Sequence, residues 1–122
     1  VLIVNTNNMH ITPANALQTL HQSNKLFISL FEHGSLVVEI YQPQKVDLQQ
    51  PHDRDEVYVI TNGHGQFNHN NTIVSVNTGD FLFVPAGDPH HFFDFSDDFA
   101  TWVIFYGPKG GELNTFAHEN EN

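Results

Sequence analysis

From Leu26 onward, short runs of alternating apolar and polar residues each end at a turn signal. Leu26 to Glu32 and Leu36 to Tyr41 are rich in Leu, Ile, Val and Phe, and His33-Gly34 between them predicts a tight turn, so the pair reads as an antiparallel hairpin. After Pro43 the chain is polar through Gln50, which predicts a loop. Glu56 to Thr61 reads as a strand, turned at Asn62-Gly63 into Gly65 to His69. Asn70-Asn71 turns the chain into Thr72 to Val76, and Asn77-Thr78-Gly79-Asp80 turns it into Phe81 to Val84. His90 to Phe95 and Ala100 to Tyr106 complete the series. Ahead of the strands, Thr12-Pro13 offers a hydroxyl at the N-cap and proline at the first helical position, so a short helix is predicted over Ala14 to Leu20, covering one end of a sheet. Val1 to Val4 predicts a short edge strand.

About eight or nine short strands with a single helix argue an all-β jelly roll, a closed or double-sheet barrel. The pattern occupies residues 24–107 of one domain spanning 1–122. Residues 108–122 read as a tail in which Leu113 and Phe116 anchor the first part and Ala117 onward is mobile.

At 122 residues the chain is long enough to bury roughly two-thirds of its unfolded surface in one core. Four Lys or Arg against fourteen Asp or Glu give a formal charge of −10, which repels phosphate backbones and anionic membranes, so neither nucleic acid nor membrane is expected as a partner. No apolar run reaches about 18 residues, and Val-Leu-Ile-Val is too short for a signal core, so a soluble, cytoplasmic protein is expected. The chain has no cysteine, and any metal must be held by His, carboxylate or amide oxygen. Nine His and eleven Phe suggest an aromatic interior with imidazoles set into it.

Two stretches concentrate the chemistry. Gln50 to Gly65 places His52 and Glu56 four residues apart and runs into Val-Tyr-Val-Ile; Gly79 to His90 carries Gly79, Pro85, Gly87 and His90 at fixed spacing. In a strand, alternate side chains share a face, so Glu56 points with Tyr58 and Ile60, and His90 with Phe92 and Asp94. The proline and glycine residues from 85 to 89 suit the turn before His90.

These stretches resemble the paired motifs of the cupin superfamily, GxxxxxHxHxxx(x)ExxxxxxG and GxxxxxPxGxxHxxxN. His52, Glu56 and Gly63 follow the second half of the first in register, and Gly79, Pro85, Gly87 and His90 follow the second. Gln50 stands in place of the first His, Gln44 in place of the opening Gly, and Asp94 in place of the final Asn. The resemblance implies a cupin-type double-stranded β-helix. It also implies one divalent transition metal (Fe, Mn, Ni or Zn) held by His52, Glu56 and His90, with Gln50 as a weak fourth ligand or a partner of metal-bound water. Two imidazoles and one carboxylate leave open coordination positions, the pattern of Fe(II) oxygenases.

Several other residues carry two readings each. Arg54, the chain's only arginine, is either a clamp for a substrate carboxylate or a solvated partner of Asp53 or Asp55. Tyr58 either handles a proton near the metal or fills the barrel. His64 and His91 are expected to be exposed, and Asp94, Asp97 and Asp98 to form a solvated loop. Phe81, Phe83, Phe92, Trp102 and Tyr106 are expected in the core or lining a pocket, with Phe93 and Phe105 facing outward at a homodimer interface. The first functional expectation is a metal-dependent oxidoreductase of dioxygenase type acting on a small organic molecule. The alternatives are a non-catalytic small-ligand binding or sensing module and a metal-dependent sugar or keto-acid isomerase.

Overall fold

The computed structural model describes residues 9–113; the strand expected at Val1 to Val4, and Phe116 and the tail from Ala117, lie outside them. One helix and eight strands follow in chain order: α1 (Pro13–Ser23), β1 (Phe27–His33), β2 (Leu36–Tyr41), β3 (Asp55–Asn62), β4 (His64–His69), β5 (Thr72–Asn77), β6 (Phe81–Val84), β7 (His90–Phe93) and β8 (Ala100–Tyr106). They form a five-stranded sheet in the order β1-β2-β8-β3-β6 and a three-stranded sheet in the order β5-β4-β7. Every pairing is antiparallel. This is the two-sheet jelly roll that the spacing of turns predicts.

Register decides what each strand offers the interior. Glu56 pairs with Val84 and Phe105, and Tyr58 with Leu82 and Val103. Glu39 in turn pairs with Val103, and Val37 with Phe105. The inner face of the large sheet therefore carries Val37, Glu39, Tyr41, Val103, Phe105, Glu56, Tyr58, Leu82 and Val84. Phe67, Val76 and Phe92 from the small sheet close over it, with Phe92 and Phe67 rings 4.8 Å apart. A second cluster sits on the outer face, where Ala16 and Leu20 of α1 cover Ile28, Leu30 and Ile40, with Trp102 packed alongside. Thr12 Oγ1 accepts from Asn15 N at 3.1 Å and caps the helix as its sequence predicts.

The structure reverses the expected facing of two strands. Phe105 points inward and is buried, so it cannot serve an outer interface, whereas Trp102 packs against the helix-covered cluster on the outer face and lines a pocket there, as expected. The cause is Thr101, a polar residue placed inside, whose hydroxyl lies 3.1 Å from Val59 O and 2.8 Å from Trp102 O. Phe81 and Phe83 are 64% and 42% exposed because the register sends Leu82 and Val84 inward instead. Phe92 is in the core as expected. Leu113, the last described residue, is 85% exposed.

Candidate metal centre

Glu56 and His90 reach the same point from different sheets. Glu56 projects inward near the start of β3, and His90 opens β7 after the turn at 85–89. His52 arrives from the loop before β3. Three backbone and side-chain contacts lock these segments together. Gly87 N donates to His52 O at 2.7 Å. The buried Asp55 carboxylate accepts from Ala86 N at 3.0 Å and from Glu112 N at 2.8 Å. Gly87 has φ +85°, a conformation that glycine adopts without steric cost, so the turn can present Gly87 N to the His52 loop.

One nitrogen of His52, one of His90 and one oxygen of Glu56 lie within 4.8 Å of one another. His52 Nδ1 is 3.2 Å and His90 Nε2 is 3.0 Å from Glu56 Oε1. His90 Nδ1–H donates to Asp88 O at 2.8 Å, so in the neutral ring Nε2 carries the lone pair and faces a carboxylate oxygen. That is two acceptors at hydrogen-bond distance. His90 Nε2 and Glu56 Oε2 are buried without a hydrogen-bond partner. A cation between them relieves the conflict, and the donor set fits a divalent transition metal: two imidazoles, one carboxylate, and a carbonyl that fixes the ring of His90. Without a metal a proton takes that role. Burial pushes the His90 pKa down, but the Glu56 carboxylate and the Asp88 carbonyl more than offset this and leave it raised. Burial likewise pushes Glu56 up, and the two imidazoles together bring it below the ordinary carboxylate value.

A cavity of about 580 Å³ opens over this group, lined by His52 and Glu56 on one side and by Glu39, Tyr41, Phe105 and Val103 among others. The loop from Pro43 to Pro51 forms part of its wall and is strapped down by Asp47. That carboxylate accepts from Tyr41 Oη at 2.6 Å, from Gln49 Nε2 at 2.6 Å and from Phe92 N at 2.8 Å, tying the loop to both sheets.

The structure brings His52, Glu56 and His90 together, and it does not bring Gln50. Gln50 is exposed, and its neighbour Gln49 lines the cavity instead, its Oε1 accepting from Tyr58 Oη at 2.7 Å. The shift of one residue arises in a loop without strand periodicity. Tyr58 is fully buried, with its ring 5.9 Å from His90 and 5.0 Å from Phe92. Burial and the Glu56 charge hold its pKa well above the ordinary phenol value, so it is a fixed donor that positions Gln49. Arg54 neither faces the cavity nor pairs with Asp53 or Asp55. Its Nη1 donates to Ser35 O at 2.6 Å, and its guanidinium lies 5.7 Å from the Phe105 ring, whose ring also packs 4.8 Å from His52. It pins the β1–β2 turn and backs the wall that holds His52. His64, His91, Asp94, Asp97 and Asp98 are exposed as expected. Asp94 adopts φ +48°, a left-handed conformation that Asp tolerates as Asn does.

Sequence reasoning missed Glu39. It is inward on β2, half-buried, and its pKa is raised by burial, with the His52 charge opposing. Its signal was available: alternation places Glu39 on the face of Val37 and Tyr41.

Fold and site together define a small two-sheet β-barrel protein with a three-residue group that could hold a metal ion beside a cavity. Residues 37–106 match the Cupin_2 family model, described as a cupin domain, and the chain belongs to that family. Over 63 residues it is 35% identical to an uncharacterised protein of Streptomyces coelicolor, covering 52% of this chain and 60% of that one. The chain thus spans about three-fifths of that relative's length. A cupin-2 domain containing protein from Shewanella frigidimarina superposes with a TM-score of 0.61 at 15% identity, over 75% of this chain and 91% of that one. A structure of the DMSP lyases RdDddP and RnDddQII superposes with a TM-score of 0.59 at 22% identity, over 68% of this chain and 47% of that one. At these identities the likeness is one of fold. No helix among the described residues is long and apolar enough to cross a membrane.

Proposed function

We propose that the protein is a metal-dependent oxidoreductase of dioxygenase type that acts on a small, partly apolar organic molecule in the barrel. The observation that carries this reading is the donor set itself: two imidazoles and a single carboxylate within 4.8 Å of one another, with His52 and Glu56 lining the cavity. When bound, the divalent ion supplies Lewis-acid chemistry and, if it is iron, redox chemistry at coordination positions the protein leaves free. The chain's own residues do the rest. His52, Glu56 and His90 would hold the ion, and the Asp88 carbonyl fixes the His90 ring. Phe105 and Val103 present apolar surface to the substrate and keep water from the reacting atoms. The Asp47 strap keeps Gln49 at the wall.

A second reading, metal-dependent proton transfer as in a lyase or isomerase, is favoured by Glu39, a carboxylate with a raised pKa in the same cavity. The fold likeness to the DMSP lyases agrees with it. Oxygen consumption by Fe(II)-loaded protein with diketones, phenols and thiols tests the first reading. Uptake stoichiometric with product supports it. Turnover without oxygen uptake transfers the case to proton chemistry, and saturable binding without turnover of any compound makes the protein a binding module.

A further inference from the structure

Glu39 lines the cavity wall, and neither the paired motifs nor the packing explains a carboxylate there. On β2 it sits inward between Val37 and Tyr41, its backbone paired with Val103. Phe27, Tyr41, Val103 and Phe105 share its wall of the cavity, so a carboxylate stands among apolar side chains. Among the described residues no hydrogen bond to that carboxylate is formed. Burial raises its pKa; the charges acting on it are His52 and Arg54, which favour ionisation, and Glu56 and Glu32, which oppose it. Its oxygens are left to cavity water, so a ligand that enters there can exchange that water for a hydrogen bond of its own.

We propose that Glu39 selects the ligand: it hydrogen-bonds a hydroxyl on a small, largely apolar molecule held against the His52–Glu56–His90 group, and it disfavours ligands whose inner end is a carboxylate. This rests on the reading that the cavity is where substrate binds. The charge balance supports it. With Glu56 as the anionic member of the His52–Glu56–His90 group, a divalent ion would leave the inner cavity with a net positive charge, which attracts anions. The Glu39 carboxylate offsets that charge, and a second carboxylate brought beside it meets like-charge repulsion. Lys25 is the cation among the lining residues, and it is exposed, so its pull on an anion is screened by water.

The test is calorimetric titration of Zn(II)-loaded protein with benzyl alcohol and with benzoate at mildly alkaline pH, for wild type, Glu39→Gln and Glu39→Leu, with zinc content measured for each. Glu39→Gln keeps size and hydrogen-bonding capacity while removing the charge. Benzoate affinity is expected to rise about tenfold in Glu39→Gln, with benzyl alcohol changed less than about twofold, whereas Glu39→Leu loses about tenfold for benzyl alcohol. Benzoate affinity unchanged or lowered in Glu39→Gln overturns the proposal, as does failure of both probes to bind wild type. Repeating the titrations on metal-free protein separates the two ideas. Selectivity that follows Glu39 without zinc, in a chain that takes up no metal, sinks the metal centre and leaves the Glu39 role standing. Full zinc uptake with no effect of Glu39→Gln does the reverse.

Discussion

The two faces of the five-stranded sheet follow the same alternation and do opposite things. On the outer face Ile28, Leu30 and Ile40 are buried under Ala16 and Leu20, an apolar cluster. On the inner face Glu56, with no exposed surface, meets His90 of the small sheet, at 5%, and the two are buried among Tyr58, Phe67 and Phe92. An apolar contact is stabilised wherever it is dry. A buried carboxylate and imidazole are tolerated only where each charge finds a partner, so the inner arrangement must be specified atom by atom. The outer face teaches what folding needs; the inner face shows what has been added to it.

The largest effect expected from breaking this contrast is at the metal group. Glu56→Ala strands His52 and His90 without their shared partner and is expected to abolish measurable metal uptake. It should also destabilise the metal-free protein by about 3 kcal/mol, since removing one member of a buried pair costs about that much. Urea denaturation with parallel metal analysis measures both. Ile40→Ala on the outer face sharpens the comparison. It should cost a similar amount, about 2–4 kcal/mol, through the cavity it leaves under the helix. Metal uptake per folded chain should stay intact, because no ligand contacts that cluster.

A smaller effect is expected at the strap. Asp47→Ala removes the acceptor for Tyr41 Oη, Gln49 Nε2 and Phe92 N, at a cost of about 1–3 kcal/mol. Limited proteolysis should then cut the Pro43 to Pro51 loop faster, with metal affinity changed far less than in Glu56→Ala. Equal protease resistance would show that the loop is held by something else.

The smallest effect concerns pH. Because the folded-state pKa of Glu39 is raised, the folded chain binds that proton more tightly than the unfolded chain does. Its contribution to stability is thus present at acid pH and lost as pH rises through and above its ordinary value of 4.5. In metal-free protein, Glu39→Gln should therefore gain stability over wild type by an amount that grows from acid to neutral pH. Thermal melts across that range check it, and a flat difference would mean that the side chain is as well solvated folded as unfolded.

Much of this architecture was legible because turns are punctuated. His33-Gly34, Asn62-Gly63 and Asn70-Asn71 mark positions where the chain must reverse, and the strands fall between them. His52, Glu56 and His90 were legible for a related reason: their spacing is tied to the glycine and proline positions of two turns, and Gly63 and Gly87 adopt the positive φ such turns require. What was not legible lacks that punctuation. Phe81 to Val84 is apolar at every position, so alternation could not say that Phe81 and Phe83 face out. In β8, the polar Thr101 sits inside on the same face as Phe105, against what its residue type suggests. The loop before β3 has no period at all, and the structure seats Gln49, not Gln50, at the cavity. Arg54 gave its guanidinium to Ser35 O, a backbone contact across 19 residues that no local pattern encodes.

The central claim is that the inner face holds a metal ion through His52, Glu56 and His90. Its most direct test is metal stoichiometry by mass spectrometry, after reconstitution with Fe(II), Mn(II), Ni(II) and Zn(II) in turn, for wild type and His90→Ala. About one ion per wild-type chain, lost in a folded His90→Ala, is the predicted result. Less than about a tenth of an equivalent with every metal, or equal uptake by His90→Ala, would contradict it.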